Sequence, residues 1–407
     1  MTGFADAVAL AAAHGRLVVQ PRMGMASPLE MRAGLLAVRG ARATTVGTLT
    51  VDSYTRVGDH RAALEALHDG ARLNGYPIVS HHPDTTRAVL DGLSGFPVQV
   101  RHGSADPRAI FAALAEAGLD ATEGGPVSYC LPYSRKPLRD SVGHWSEACE
   151  EFSGHLETFG GCMMGQLCPP SLLVALSVLE AIFFRFHGVE SVSLSYAQQT
   201  NADQDAEAIH ALRTLAARFL SDVDWHVVVY AYMGVFPRTP SGARLLNDNA
   251  ARLAVRAGAE RLIVKTVAEA HRIPTVAENV AALENAAAAA SSVSFVSSCE
   301  DNGVLAEATA LVEAVLELPG DPGTALLAAF RRGLLDVPYC LHPDNAGHAR
   351  SHIDDTGRLR WSSVGAMPIP RSAVDRSGTT TSSTHLLAAL HRVAHQHDAR
   401  THRGDES

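Results

Sequence analysis

Phe96-Pro97-Val98-Gln99-Val100-Arg101-His102-Gly103 is a short apolar run that stops abruptly at a cation and a glycine. A strand buried on both faces reads as a nearly continuous hydrophobic run, so Arg101 and Gly103 mark where the backbone leaves the core. Proteins of the α/β class keep their sites at such strand ends. A single run of this kind is equally well an ordinary strand end with a solvated arginine. Repetition along the chain changes the reading.

Similar runs lie at residues 17–20, 44–51 and 77–80 before this stretch and at 120–122, 189–195, 225–230 and 261–265 after it. Helical patterns separate most of them. The first helix opens on Ser27 as N-cap, Pro28 at the first helical position and Glu30 three residues past the cap. Counted together, the runs give about eight strand–helix units, the number that closes a (β/α)8 barrel. A doubly wound open sheet is the alternative. A long excursion at 127–188 interrupts the series and holds an apolar helix near 170–186.

The expected organisation is a TIM barrel over 1–275 that carries the active site, then a mostly helical C-terminal extension over 276–370 packed on it, with a small hairpin near 358–370. A flexible tail follows over 371–407, containing a short His-rich helix at 386–395. His391 and His395 are four apart there, but with no third ligand a solvated pair outweighs a metal site, and no metal is expected.

Composition narrows the class. The chain has 407 residues, 46% of them hydrophobic, enough for a large core. Its formal charge of -9 argues against nucleic acid or an anionic membrane as partner. The six cysteines form no C-x-x-C pair and the N-terminus lacks a basic leader, so a reduced, cytoplasmic protein is expected. The 170–186 helix contains Glu180 and Arg185 and is too short to span a bilayer.

Strand ends carry Arg22, Arg101, Glu123 and Lys265, with Arg56 a few residues past another. In a parallel barrel they share one face. Arginine grips carboxylates through a planar fork, so three converging arginines point to an anion with more than one carboxylate. Glu123 among them points to an amino group on the same molecule, hence an acidic amino acid. The competing reading pairs Arg22 and Arg101 with acids of neighbouring loops such as Asp52. Tyr129 and Tyr133 read as a loop packed over the barrel mouth. No phosphate-binding glycine loop, nucleophile elbow or H-E-x-x-H helix occurs.

The motifs QPRMG (20–24), DSYTR (52–56), LNGYP (73–77), QVRHG (99–103) and EGGPVSYCLPY (123–133) resemble those of the large subunit of glutamate mutase, the methylaspartate mutase epsilon or E chain. So do PPS (169–171), MGVFP (233–237), IVKTVAEAHRIPT (263–275) and NAG (345–347), all in family order across 17–370. The resemblance implies a (β/α)8 barrel that rearranges L-glutamate to threo-3-methyl-L-aspartate with adenosylcobalamin. By residue match, Arg22, Arg56 and Arg101 hold the substrate carboxylates, while Glu123, Tyr129 and Tyr133 complete the substrate site, Glu123 in a catalytic role. Gly24, Asn74, Pro132, Phe236, Lys265, Glu269 and Ile273 match coenzyme contacts, Lys265 and Glu269 on the adenosyl side.

The mechanism implied is homolysis of the cobalt–carbon bond to a 5'-deoxyadenosyl radical, hydrogen abstraction from glutamate C4, and fragmentation to a glycyl radical and acrylate that recombine. The corrin signature D-x-H-x-x-G is absent: Asp224-Trp225-His226 has Val229 where glycine is needed. The resemblance therefore implies a separate small cobalamin-binding subunit, with a homodimer of this chain inside a heterotetramer. Three departures stand out: a shorter segment between Tyr133 and Pro169, the run GGCMMGQLCPPS, and a tail after Pro370 without a match. They leave open a mutase for a related amino acid, or a non-catalytic paralogue that scaffolds a cobalamin-binding subunit. The role of His102 stays unassigned.

Overall fold

The computed structural model describes residues 3–164, 166–297, 299–375 and 382–404, with side chains through residue 400. Eight strands run parallel: β1 (Val18–Pro21), β2 (Gly47–Thr50), β3 (Val98–Arg101), β4 (Ala121–Gly124), β5 (His155–Thr158), β6 (Ser191–Ala197), β7 (Asp224–Tyr230) and β8 (Arg261–Val264). Each pairs with its neighbour in sequence, β8 returns to β1, and a bridge from Val19 to Thr45, just before β2, brings the first two strands together. The result is the (β/α)8 barrel.

Seven of the eight expected runs form strands; one does not, and a strand that was not expected takes its place in the count. Residues 77–80 form no strand; the chain turns there, with Ser80 N donating to Pro77 O at 2.9 Å, and only Tyr76 bridges to Val51. The missing strand is β5, inside the stretch read as an excursion. It escapes an apolar-run reading because His155 and Glu157 alternate with Leu156, and all are buried.

Those polar side chains belong to the centre of the barrel, which is a hydrogen-bonded network in place of the usual branched aliphatics. Gln20 on β1 donates to Thr48 on β2 and Gln99 on β3, both at 2.8 Å. Gln99 donates to Glu157 at 3.0 Å, and Arg261 on β8 binds Glu157, Gln20 and, at 3.0 Å, Ser193. Each of these residues is completely buried. Buried donors and acceptors this well matched offset the cost of leaving water. Below them the ring of Phe4, from the N-terminal helix Phe4–Ala13, lies 4.9 Å from the Arg261 guanidinium and closes the floor.

Helix Val276–Ala290 packs against Pro240–Ala257, Pro28–Arg39 and β1. It is the eighth helix of the barrel wall, so the barrel runs past residue 275. Helices Val304–Leu316 and Pro322–Arg332 pack outside Pro170–Phe186, and a hairpin of β9 (Arg350–Ile353) and β10 (Leu359–Ser363) follows. The His-rich helix is longer than the sequence indicates, Ser383–Gly404, and packs on Pro240–Ala257. Asp398 accepts from Arg238 N, Thr239 N and Thr239 Oγ1 at 3.0, 3.0 and 2.6 Å, sealing that helix's N-terminus. Residues 376–381 and 405–407 of the expected tail lie outside the described residues. No helix among the described residues is long and apolar enough to cross a membrane.

Candidate active site

The C-terminal ends of β3 and β4 place Arg101 beside Glu123, Nε to Oε2 at 2.8 Å, both side chains almost fully buried. Burial opposes the Arg101 charge, but Glu123 with Tyr230 and Tyr129 carries its pKa well above the ordinary value. Glu123 is the hub. It accepts from Tyr129 Oη on one oxygen and from Tyr230 Oη at 2.6 Å on the other. The Tyr230 hydroxyl also touches Glu157, linking the site to the polar barrel centre.

Arg56 arrives from the short helix Ser53–Val57, whose N-cap is Asp52, and its Nε donates to His102 O at 3.2 Å. A side chain at Gly103 (φ 69°) would come within 3.3 Å of Arg56, so glycine satisfies both the turn and the approach. Arg22, after β1, is more open and meets Glu269 at 3.3 Å. Two of the three arginines are thus paired with acids, but with Glu123 and Glu269; Asp52 caps a helix instead. All three follow parallel strands at the same end of the barrel, and the charges of Arg22 and Arg101 both act on Lys265 and those of Arg22 and Arg56 on Tyr133. Tyr133 is 46% exposed at the mouth, its ring 6.2 Å from that of Tyr129.

A second tier lies beside the arginines. Lys265, at the end of β8, binds Glu269 at 2.8 Å and sits 5.1 Å from the ring of Phe236. Burial, helped by Arg22, draws Lys265 down to about 8 against the pull of Glu269. Although burial opposes it, Lys265 and Arg22 hold Glu269 below the usual carboxylate range. Arg22, Gly24, Asn74 and Ile273 line one groove of about 550 Å3. Asn74 is fixed there by Ser53 N donating to its Oδ1 at 2.9 Å. A Cβ on Gly24 would lie 2.3 Å from Thr50 O, so that glycine serves the approach of two strands. Pro132 stands apart from this groove, in a depression of about 330 Å3 shared with Tyr133.

Three buried groups of this region have no counterpart in the sequence reading. Glu157 and Tyr230 lie beneath Glu123. Glu180 leaves the helix Pro170–Phe186 to accept from Ser128 N, Ser128 Oγ, Val127 N and Phe159 N at 2.8 to 3.3 Å. It pins the turn that carries Tyr129. Gly125 makes room for it, since a Cβ there would fall 2.0 Å from a Glu180 oxygen. The sequence signal was present for Tyr230, which ends an apolar run, and for Glu180, a lone carboxylate in an apolar helix. His102 is walled by Phe111, Tyr129 and Trp145, and its Nδ1 accepts from Ser104 N at 3.0 Å. Burial, reinforced by Arg56, pushes it down to about 3, so it is a neutral packing group that shapes the Tyr129 wall.

Residues 2–382 match the family model described as Methylaspartate mutase E chain (MutE). The chain belongs to that family. Its relatives include three proteins named glutamate mutase epsilon subunit. The one from Escherichia coli O157:H7 is 29% identical, over 91% of this chain and 82% of its own. Yersinia enterocolitica supplies another at 30%, again over 91% and 82%, and Halobacterium salinarum a third at 31%, over 81% and 75%. Methylaspartate mutase E chains are mutase subunits, so this protein is an enzyme of the isomerase class. The family match stops at residue 382, one residue before the helix Ser383–Gly404 begins.

Proposed function

We propose that this chain is the catalytic subunit of an adenosylcobalamin-dependent glutamate mutase that converts L-glutamate to threo-3-methyl-L-aspartate. The observation that carries the reading is the buried Arg101–Glu123 pair at the barrel mouth, with Arg22 and Arg56 following β1 and β2 at the same end. Three guanidinium groups suit two carboxylates, and a buried carboxylate suits the ammonium group between them.

The residues fit the coenzyme. Next to the arginines lies the groove of Arg22, Gly24, Asn74 and Ile273, with Ile273 67% exposed beside polar donors. Arg22 links this groove to Glu269 and Lys265, a carboxylate and an ammonium of the kind that hydrogen-bond sugar hydroxyls and ring nitrogens. When bound, adenosylcobalamin supplies the carbon radical that starts the rearrangement. Phe236, beside Lys265, and Pro132, beside Tyr133, would complete the contacts. The sequence holds no D-x-H-x-x-G signature, and its nearest approach, His226, stacks on His155 at 4.9 Å inside the barrel and meets Arg261 at 3.3 Å. That supports a separate small cobalamin-binding subunit, as the relatives' name, epsilon subunit, also suggests.

In this reading Arg56 and Arg101 fix the substrate carboxylates so that both carbon fragments keep their places through bond cleavage and recombination. Glu123 holds the ammonium group of the migrating fragment, its own geometry set by Tyr129 and Tyr230. Tyr133 closes the mouth and helps exclude water. The test combines the purified chain, a cobalamin-binding small subunit, adenosylcobalamin and L-glutamate, and follows methylaspartate. Product is expected with both subunits only; its absence with a partner proven active on another E chain overturns the reading.

A further inference from the structure

The chain carries a formal charge of -9, yet Arg252, Arg256, Arg392 and Arg400 line a single cavity of about 410 Å3. It opens beyond the C-terminal end of β6, where Gln198 and Gln199 follow Ala197, and shares no lining residue with the groove of Arg22 and Asn74. None of the four arginines forms an ion pair among the described residues. Arg252 donates to Asn249 Oδ1 at 3.4 Å and has Asp248 nearby, and the buried Nε of Arg392 has no partner.

The opposite wall is prepared for the same kind of ligand. Asn201 and Ala202 begin the helix Ala202–Phe219, whose 18 residues direct a positive dipole end into the cavity. Gln199 is 4% exposed and lines the cavity; its Nε2 donates to Ala197 O at 3.0 Å, which leaves its buried Oε1 to accept from a protonated oxygen or a hydroxyl of the ligand. Two carboxylates share the lining. Asp205 is occupied, accepting from Tyr196 Oη at 2.8 Å and from Gln199 N at 3.0 Å, while Asp203 lines the cavity and Asp248 lies near Arg252. Leu246, Leu253 and Val393 give the cavity an apolar side. Arg392, His397 and Arg400 come from the helix that begins past the end of the family match. The cavity is therefore completed by residues that lie beyond the family match.

We infer that this cavity is a binding site for a small molecule bearing a diphosphate or phosphate group. Guanidinium forks match phosphate oxygens two at a time, and a helix N-terminus favours the same multiply charged anion. The apolar side takes the uncharged remainder of the ligand. Cations gathered around one cavity repel one another, and a bound anion relieves that cost.

Isothermal titration of the full chain with inorganic pyrophosphate near 0.1 M salt tests this. Saturable 1:1 binding is expected, weakened at least about 10-fold by Arg252→Gln with Arg392→Gln. Arg392→Lys keeps the charge and loses the fork, and an intermediate affinity is expected. The equal-charge control Arg61→Gln with Arg135→Gln lies elsewhere and is expected to bind as the parent does. Far-ultraviolet dichroism confirms that each variant is folded. ADP titrated in parallel separates the sources: tighter than pyrophosphate, it assigns an organic phosphate; weaker, the free anion. No saturable binding by the parent, or equal losses in the cavity and control variants, overturns the inference.

Discussion

Arg101 and Glu123 form a buried ion pair at the ends of two adjacent parallel strands, 2.8 Å from Nε to Oε2. The pair uses the Nε edge of the guanidinium, and Nη2 meets Tyr230 Oη at 3.3 Å. Nη1 remains to face a ligand. In the proposed site this arginine is oriented before any substrate arrives, by a carboxylate that the proposal places in the same site.

Arg101→Lys is accordingly expected to lower kcat/KM by about 100-fold or more while the protein stays folded. Lysine keeps a cation near Glu123 but cannot serve two partners and a ligand through one planar fork. Arg101→Met should behave differently, leaving Glu123 buried without its charge partner at a cost of roughly 3–5 kcal/mol. Steady-state kinetics and urea unfolding separate the two; a near-normal rate for the lysine variant removes Arg101 from the substrate site.

Tyr230→Phe tests the link between the site and the barrel centre. The hydroxyl lies between Glu123 and Glu157, so its removal leaves two buried carboxylates facing each other with one donor fewer. A stability loss of about 1–3 kcal/mol is expected, with a reduced kcat. Unchanged urea midpoints would show that the hydroxyl is dispensable to the network.

The same network explains what the sequence conceals. Arg22, Arg56, Arg101, Glu123 and Lys265 were legible because each follows or lies near an apolar run, so a change in residue type marks the strand end. β5 was not legible, because an interior built from His155, Glu157, Ser193 and Arg261 removes the apolar signal on which strand reading depends. The apolar run at 77–80 had the opposite fault, since Ile78 is buried in a turn. The pairing of Arg22 with Glu269, 247 residues apart, depends on barrel closure and leaves no local trace.

Lys265 predicts an alkaline limit to activity. Its pKa of about 8 means that the ammonium group, and with it the ionic contact to Glu269, is lost as pH rises through about 8. Stability moves the other way: between about 8 and the ordinary lysine value near 10.5 the unfolded chain binds the extra proton, so this group's contribution to stability rises with pH. A fall in rate near pH 8 without a fall in melting temperature is therefore expected. Lys265→Gln should be slow at all pH values and show no limb there; the same limb in that variant assigns it to another group.

Glu180 predicts a pH dependence of stability with the opposite sign. Burial raises its carboxyl from 4.5 to about 7, although Ser128 and the backbone of Gly160 and Phe159 oppose the shift through hydrogen bonds. A carboxyl with a raised folded-state value holds its proton where the unfolded chain has released it. Stability therefore falls as pH rises from about 4.5 to about 7 and levels off above that. The 2.5-unit difference corresponds to at most about 3 kcal/mol. Asp205, also raised by burial to about 7, adds a slope of the same sign, so the wild-type curve alone does not assign the effect. Glu180→Gln does. The amide is neutral at every pH and accepts through one oxygen, so the variant should be less stable by about 1–3 kcal/mol at pH 5. Because only the wild type loses stability at this position as pH rises, the gap should narrow by pH 8. Urea unfolding at pH 5, 6, 7 and 8 checks this, and parallel curves for the two proteins would mean that Glu180 stays ionised in the folded state.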